Sequence, residues 1–108
     1  MKQSRLRDNH KPIYAILWLL ERSGGPDKPV PSSTLANLIE RSVMTYELNR
    51  KNYNRTCRTL VEHGMLARIR DSHNGRVFFN LTDKSREIAE QCFLDVFNMP
   101  LEAFLRGE

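Results

Sequence analysis

The stretch from Asn49 to Gly64, NRKNYNRTCRTLVEHG, gathers side chains that can hold an anion and side chains that can read a hydrogen-bonding edge. Wound as an α-helix at about 100° per residue, it sets Arg50, Lys51, Asn54, Arg55 and Arg58 on one continuous arc. Tyr53, Cys57, Leu60 and Val61 fall on a neighbouring arc and predict its buried side. Asn52, Thr56, Thr59 and His63 cover the remainder. Asn49 suits the helix start, because its side-chain oxygen accepts from an otherwise orphaned first-turn N–H. Gly64 suits the end, where a left-handed residue is wanted. No carboxylate lies between Glu47 and Glu62, so the arc carries no acid of its own. A charge run of this kind is ordinarily a solvated face, and the segments around it decide whether it is more.

Chain length and composition narrow the classes. The 108 residues suffice for one domain and one core. Nothing approaches the roughly 18 apolar residues of a membrane span, and the basic N-terminus lacks the apolar run of a signal peptide. The sequence therefore predicts a soluble, cytoplasmic chain without membrane contact. Cys57 and Cys92 have no paired spacing, so they make neither a disulfide framework nor a zinc site. His10, His63 and His73 have no metal-site spacing either. No nucleophile motif, phosphate-cradling glycine loop or paired carboxylates occur; the reading is a non-enzyme without cofactor.

The net charge of +4 matters less than its layout. Residues 1–12 carry four Lys/Arg against one acid, and 49–76 carry seven against two. Residues 13–48 and 77–108 carry an excess of acids. A chain that confines its positive charge to two segments points to a polyanion, most often nucleic acid.

The elements that must position the basic arc follow from periodicity. Residues 1–11 read as a basic arm. Helix 1 starts at Pro12, whose missing N–H costs nothing in a first turn, and Ile13, Ile16, Leu17 and Leu20 make a stripe with Tyr14 and Trp18 beside it. GGPDKPVP is a loop in which Val30 allows at most a short edge strand. Ser32 or Ser33 caps helix 2, with Leu35, Leu38, Ile39, Val43 and Tyr46 at helical spacing, and a turn near Glu47-Leu48 leads into the basic helix. After Gly64 the period drops to two. Residues 65–70 and 76–82 predict a hairpin turning at Asn74-Gly75, both of which tolerate positive φ. Alternation puts Arg68 and Arg70 on one face and Ile69 inward. Thr82 or Asp83 caps a last long helix with an apolar stripe of Ile88, Ala89, Cys92, Phe93, Val96 and Phe97. Pro100 stops it, and LEAFLRGE allows one more turn.

Helix, helix, basic helix, basic hairpin, helix is the order of a winged helix-turn-helix, a mainly α fold with a small β wing. Leu60-Val61-Glu62-His63-Gly64-Met65-Leu66, then Arg76, then Leu81-Thr82-Asp83-Lys84-Ser85 resemble the pattern of bacterial MarR-type regulators. There a Leu-x-x-x-Gly-Leu element precedes a wing and Leu-Thr-x-x-Gly. The resemblance covers roughly residues 30–90; Ser85 stands where glycine is usual, and the distance from Leu35 to Gly64 is about seven residues longer than the pattern. It implies a transcriptional regulator in which Asn52, Asn54 and Arg55 face the DNA groove and Arg76 is the wing arginine.

The expected function is sequence-specific binding of double-stranded DNA, with nucleoid association when bound. Residues 49–63 enter the major groove, and the wing, 70–76, lies on the flanking backbone or minor groove. Arg50, Lys51, Arg58 and Arg76 hold phosphates; Asn54 and Arg55, with Asn52 as a third, read bases; Arg70, His73 and Asn74 contact from the wing. Residues 12–83 form the DNA-binding unit and 84–108 a dimerisation helix, with Tyr14, Trp18, Cys92, Phe93, Val96 and Phe97 at a homodimer interface. Two other readings stay open: a winged-helix assembly module for an acidic protein partner, and a replication or partition protein of a mobile element.

Overall fold

The computed structural model describes residues 2–24, 28–42 and 50–107, with the side chains of 2–9 and 50 left aside. The element order is α1 (Lys2–Gly24), β1 (Val30–Pro31), α2 (Ser32–Ser42), α3 (Arg50–Glu62), β2 (Leu66–Arg70), β3 (Val77–Leu81), α4 (Asp83–Phe97) and α5 (Leu101–Leu105). This is a mainly helical α+β architecture with one three-stranded antiparallel sheet ordered β1-β3-β2. The expected Asn49 cap, the Glu47-Leu48 turn, Val43 and Tyr46 lie outside the described residues.

The core is built around α1. Every residue from Ile13 to Trp18 is buried, because α1 packs chiefly on α4 and is also touched by α2, α3 and β3. Helix 1 does not begin at Pro12, as the sequence reading has it, but runs back to Lys2 with the proline inside. Proline's fixed φ is itself helical, although inside a helix it removes one N–H and sets its ring against the carbonyl four residues earlier. The preceding residues are largely straight-chain formers such as Lys, Gln, Leu and Arg. The basic segment 1–11 is thus helical from Lys2 onward.

Helix α3 ends in a Schellman arrangement. The Met65 N–H donates to the Leu60 carbonyl (2.8 Å) and the Gly64 N–H to the Val61 carbonyl (3.1 Å), with Gly64 at φ 73° as expected. Thr82 caps α4: its side chain accepts from the Ser85 N–H, and its own N–H donates to Ser85 Oγ at 2.9 Å. Ser85, fully buried, closes the capping box that glycine at this position would leave open. Asn98, left-handed at φ 58°, ends α4. Pro100, expected to be the stop, instead precedes α5 as its N-cap residue.

Two features of the wing differ from the sequence reading. Only Gly75 takes a positive φ, while Asn74 does not. The connection is held by Asp71, whose Oδ1 accepts from the His73 N–H at 2.7 Å, and by the Asp71 N–H donating to the Arg76 carbonyl at 2.8 Å. The strand phase is also inverted. Ile69 is 43% exposed, whereas Leu66 is buried. Leu66, Arg68 and Arg70 face the same side as their cross-strand partners Leu81, Phe79 and Val77. Burial of Leu66, Phe79 and Leu81 fixes that side as the inner one, and the arginines follow it by period two.

Candidate nucleic-acid interface

Helix α3 is amphipathic in the expected sense. Tyr53, Thr56, Cys57 and Leu60 are buried, whereas Lys51, Asn52, Asn54, Arg55 and Arg58 are exposed. Arg50 lies in α3, its side chain outside the description. Tyr53 fixes the helix to its neighbour: its hydroxyl donates to the Ser32 carbonyl at 2.9 Å and lies 3.3 Å from Ser32 Oγ. The start of α2 and the first turns of α3 are therefore tied to each other. At the other end, Thr82 Oγ1 donates to the Gly64 carbonyl (2.7 Å) and Lys84 Nζ to the His63 carbonyl (3.1 Å). A cation at a helix C-terminus also suits the helix dipole.

The wing presents Arg68, Arg70, His73, Asn74 and Arg76, all exposed. Asn74 is partly committed, since its Oδ1 accepts from the Arg76 N–H at 2.9 Å; its amide donors remain for a ligand. The Arg76 guanidinium lies 5.6 Å from the Phe78 ring centre, near the limit of a cation–π contact. Arg68 was not among the sequence candidates. With Arg58, Asn54, Cys57, Val77 and Phe79 it lines a groove of about 440 Å³ between α3 and the sheet. The signal was Leu66: any strand that buries Leu66 turns Arg68 the same way.

Charge is distributed unevenly over the surface. Among the described residues, Lys51, Arg55, Arg58, Arg68, Arg70 and Arg76 have no carboxylate within ion-pair distance. On the α1–α4 side, by contrast, Lys11 meets Asp95 at 3.2 Å, Arg86 meets Glu21 at 2.8 Å and Asp83 at 2.6 Å, and Arg22 lies 4.1 Å from the Trp18 ring centre. Hydrogen bonds from Gln91 and Lys11 hold the Asp95 carboxyl below its usual range.

Both thiols are buried and free. Burial pushes Cys57 up to about 11, against a smaller opposing hydrogen bond from Tyr53. Burial, then the nearby Asp95 charge, pushes Cys92 up to about 11 as well. Neither is a poised nucleophile. No group of three or more His, Cys, Asp or Glu side chains suited to a metal occurs among the described residues. No described helix is long and apolar enough to cross a membrane.

The residues expected at a dimer interface are placed mostly inside the chain. Tyr14, Trp18, Cys92 and Phe93 are at most 8% exposed without any partner. Phe93, Phe97 and Phe104 form an aromatic cluster with ring centres 4.7 to 5.5 Å apart. Their apolar surface is covered by α5 folding back on α4, which the sequence reading did not foresee. Val96 and Phe97 are half-buried.

Between α1, α3 and α4 lies a cavity of about 580 Å³. Tyr14, Leu60, Met65, Ile88 and Cys92 supply apolar wall, and His10, Lys11, His63 and Lys84 supply nitrogen at its edges. His10 Nε2 is buried with no hydrogen-bond partner. Burial, and the neighbouring His63, lower the His10 pKa.

These elements define a winged helix-turn-helix. The chain is similar in structure to the PcaV transcriptional regulator from Streptomyces coelicolor. A structure of PcaV with its natural ligand matches at a TM-score of 0.56 and 19% identity, over 87% of this chain and 58% of that one. Another PcaV structure matches at a TM-score of 0.56 and 18% identity, over 94% and 76%. The chain thus spans little more than half of the ligand-bound PcaV chain. At this identity the likeness is one of fold, and it is the fold that the MarR-like pattern implies. No family model and no curated protein sequence matches the chain.

Proposed function

We propose that the chain is a sequence-specific double-stranded DNA-binding transcriptional regulator, with α3 in the major groove and the wing on the flanking backbone or minor groove. The observation that carries this reading is the side chosen by the unpaired cations. Lys51, Arg55 and Arg58 of α3 and Arg68, Arg70 and Arg76 of the wing have no acid within reach among the described residues, while Lys11 of α1 and Arg86 of α4 are paired with carboxylates. An α-helix of about 10–12 Å diameter fits a major groove about 12 Å wide. Lys51, with Arg50, supplies phosphate contacts, and Arg55, outward on α3, reads guanine through its paired donors.

Residues 12–83 are the DNA-binding unit and 84–108 contribute to a homodimer. Support for self-association is Leu105, an apolar side chain 56% exposed on α5. Two copies would set two α3 helices about 34 Å apart, one turn of DNA. The likeness to a ligand-binding regulator extends the reading to the cavity between α1, α3 and α4. A small molecule there would touch Leu60 and His63 and so act on the end of α3.

Selection from a random duplex library at two salt concentrations tests the reading. An enriched, roughly palindromic site is expected, bound more weakly at high salt. Absence of enrichment at both concentrations would overturn sequence-specific binding and leave a docking surface for an acidic partner.

A further inference from the structure

Two grooves on the wing side of α3 share Ser32, Asn54 and Val77, so they run together as one trough between α3 and the sheet. Arg58 of α3 and Arg68 of β2 line one end, and Arg76, just ahead of β3, lines the other. Asn54 stands where the two meet. In B-DNA the major and minor grooves are separated by one sugar–phosphate backbone. A body with one element in each groove must pass that backbone between them, and in this molecule the space between them is the trough.

We propose that the trough holds one DNA strand's backbone, with Arg58 and Arg68 gripping phosphate from opposite walls and Asn54 donating its amide N–H to the same strand. This rests on the DNA-binding reading above. Guanidinium suits the task because its planar donors match phosphate oxygens in pairs. Glu62, which also lines the Arg58 end, sets the limit of the track, since a carboxylate repels phosphate. Asn54 thereby becomes a positioning residue, and base reading passes to the outward side of α3, led by Arg55.

The full chain, the selected duplex and a scrambled duplex of equal length test this by titration across salt concentrations. Arg68→Ala is expected to weaken both duplexes by the same factor. Its log-log salt slope should fall by about 0.9, so that its affinity loss from 50 to 200 mM salt is about 3.5-fold smaller than that of the original chain. Arg68→Lys, which keeps the charge, should restore the slope. Asn54→Ala should lower both affinities equally, while Arg55→Ala should lower the selected site's affinity preferentially. An unchanged slope in Arg68→Ala, or a loss confined to the selected duplex in Asn54→Ala, would overturn the proposal with DNA binding intact. An original chain that binds neither duplex would overturn the DNA reading itself, and this inference with it.

Discussion

Single side chains here do more than their types announce. Tyr53 looks like plain core on a helical wheel, yet its hydroxyl ties α3 to the Ser32 carbonyl. That bond depends on a backbone position twenty-one residues away, which periodicity does not report. Cys57 and Cys92 are free thiols packed inside the core. Each ionises at about 11 in the folded chain against an ordinary 9.0. Between those values the folded state holds more protons than the unfolded one, so stability falls as pH rises. The thiol contribution is complete below pH 9.0 and is lost towards pH 11. A chain carrying Cys57→Ala and Cys92→Ala should start less stable because of the cavities. Its urea midpoint should then fall less steeply than the original's over that window. Parallel curves for the two chains would show that the thiols are not responsible.

At the scale of elements, helix ends and strand phase separate what was legible from what was not. Asn-Gly, Gly64 and Thr82 are local signals, and the hairpin, the end of α3 and the start of α4 all fall where they indicate. Ser85 departs from the glycine of the resembled pattern and still has a role, because its hydroxyl takes the Thr82 N–H. Ser85→Ala should remove that bond and cost about 1 kcal/mol. Ser85→Gly should cost somewhat more, through chain entropy. Thermal melts of the two variants check both, and an unchanged melting temperature in Ser85→Ala would mean that the box contributes nothing. The wing's phase was not legible in the same way. Leu66 and Ile69 are both apolar and lie on opposite faces, so alternation alone leaves the inner face open. Contact with the core decides for Leu66, and the decision carries Arg68 to the α3 side. Pro12 likewise misleads only if proline is read as a boundary; α1 continues through it.

For the molecule as a whole, the question is where its apolar surface goes. The sequence reading assigns the aromatic residues of the last helix to a second copy, since wheel patterns do not say whether a following segment folds back. Here α5 does fold back: Phe104 meets Phe93 edge-on at 5.5 Å and Phe97 at 4.9 Å, and Phe93 is 1% exposed. Two substitutions on this C-terminal part should therefore behave differently. Phe93→Ser removes a ring from the centre of the chain's own core. It should cost about 3–5 kcal/mol by analogy with Phe→Ala, a large part of a small domain's stability, and should appear as a lower melting temperature. Leu105→Asp alters an exposed position and should leave melting of the isolated chain nearly unchanged. If α5 forms the two-fold contact, its charge meets its own copy across the axis, and light scattering should give the mass of a monomer. A dimer that survives Leu105→Asp would move the contact off α5. A monomer before any substitution would restrict the chain to one half-site and remove the expectation of a palindromic target.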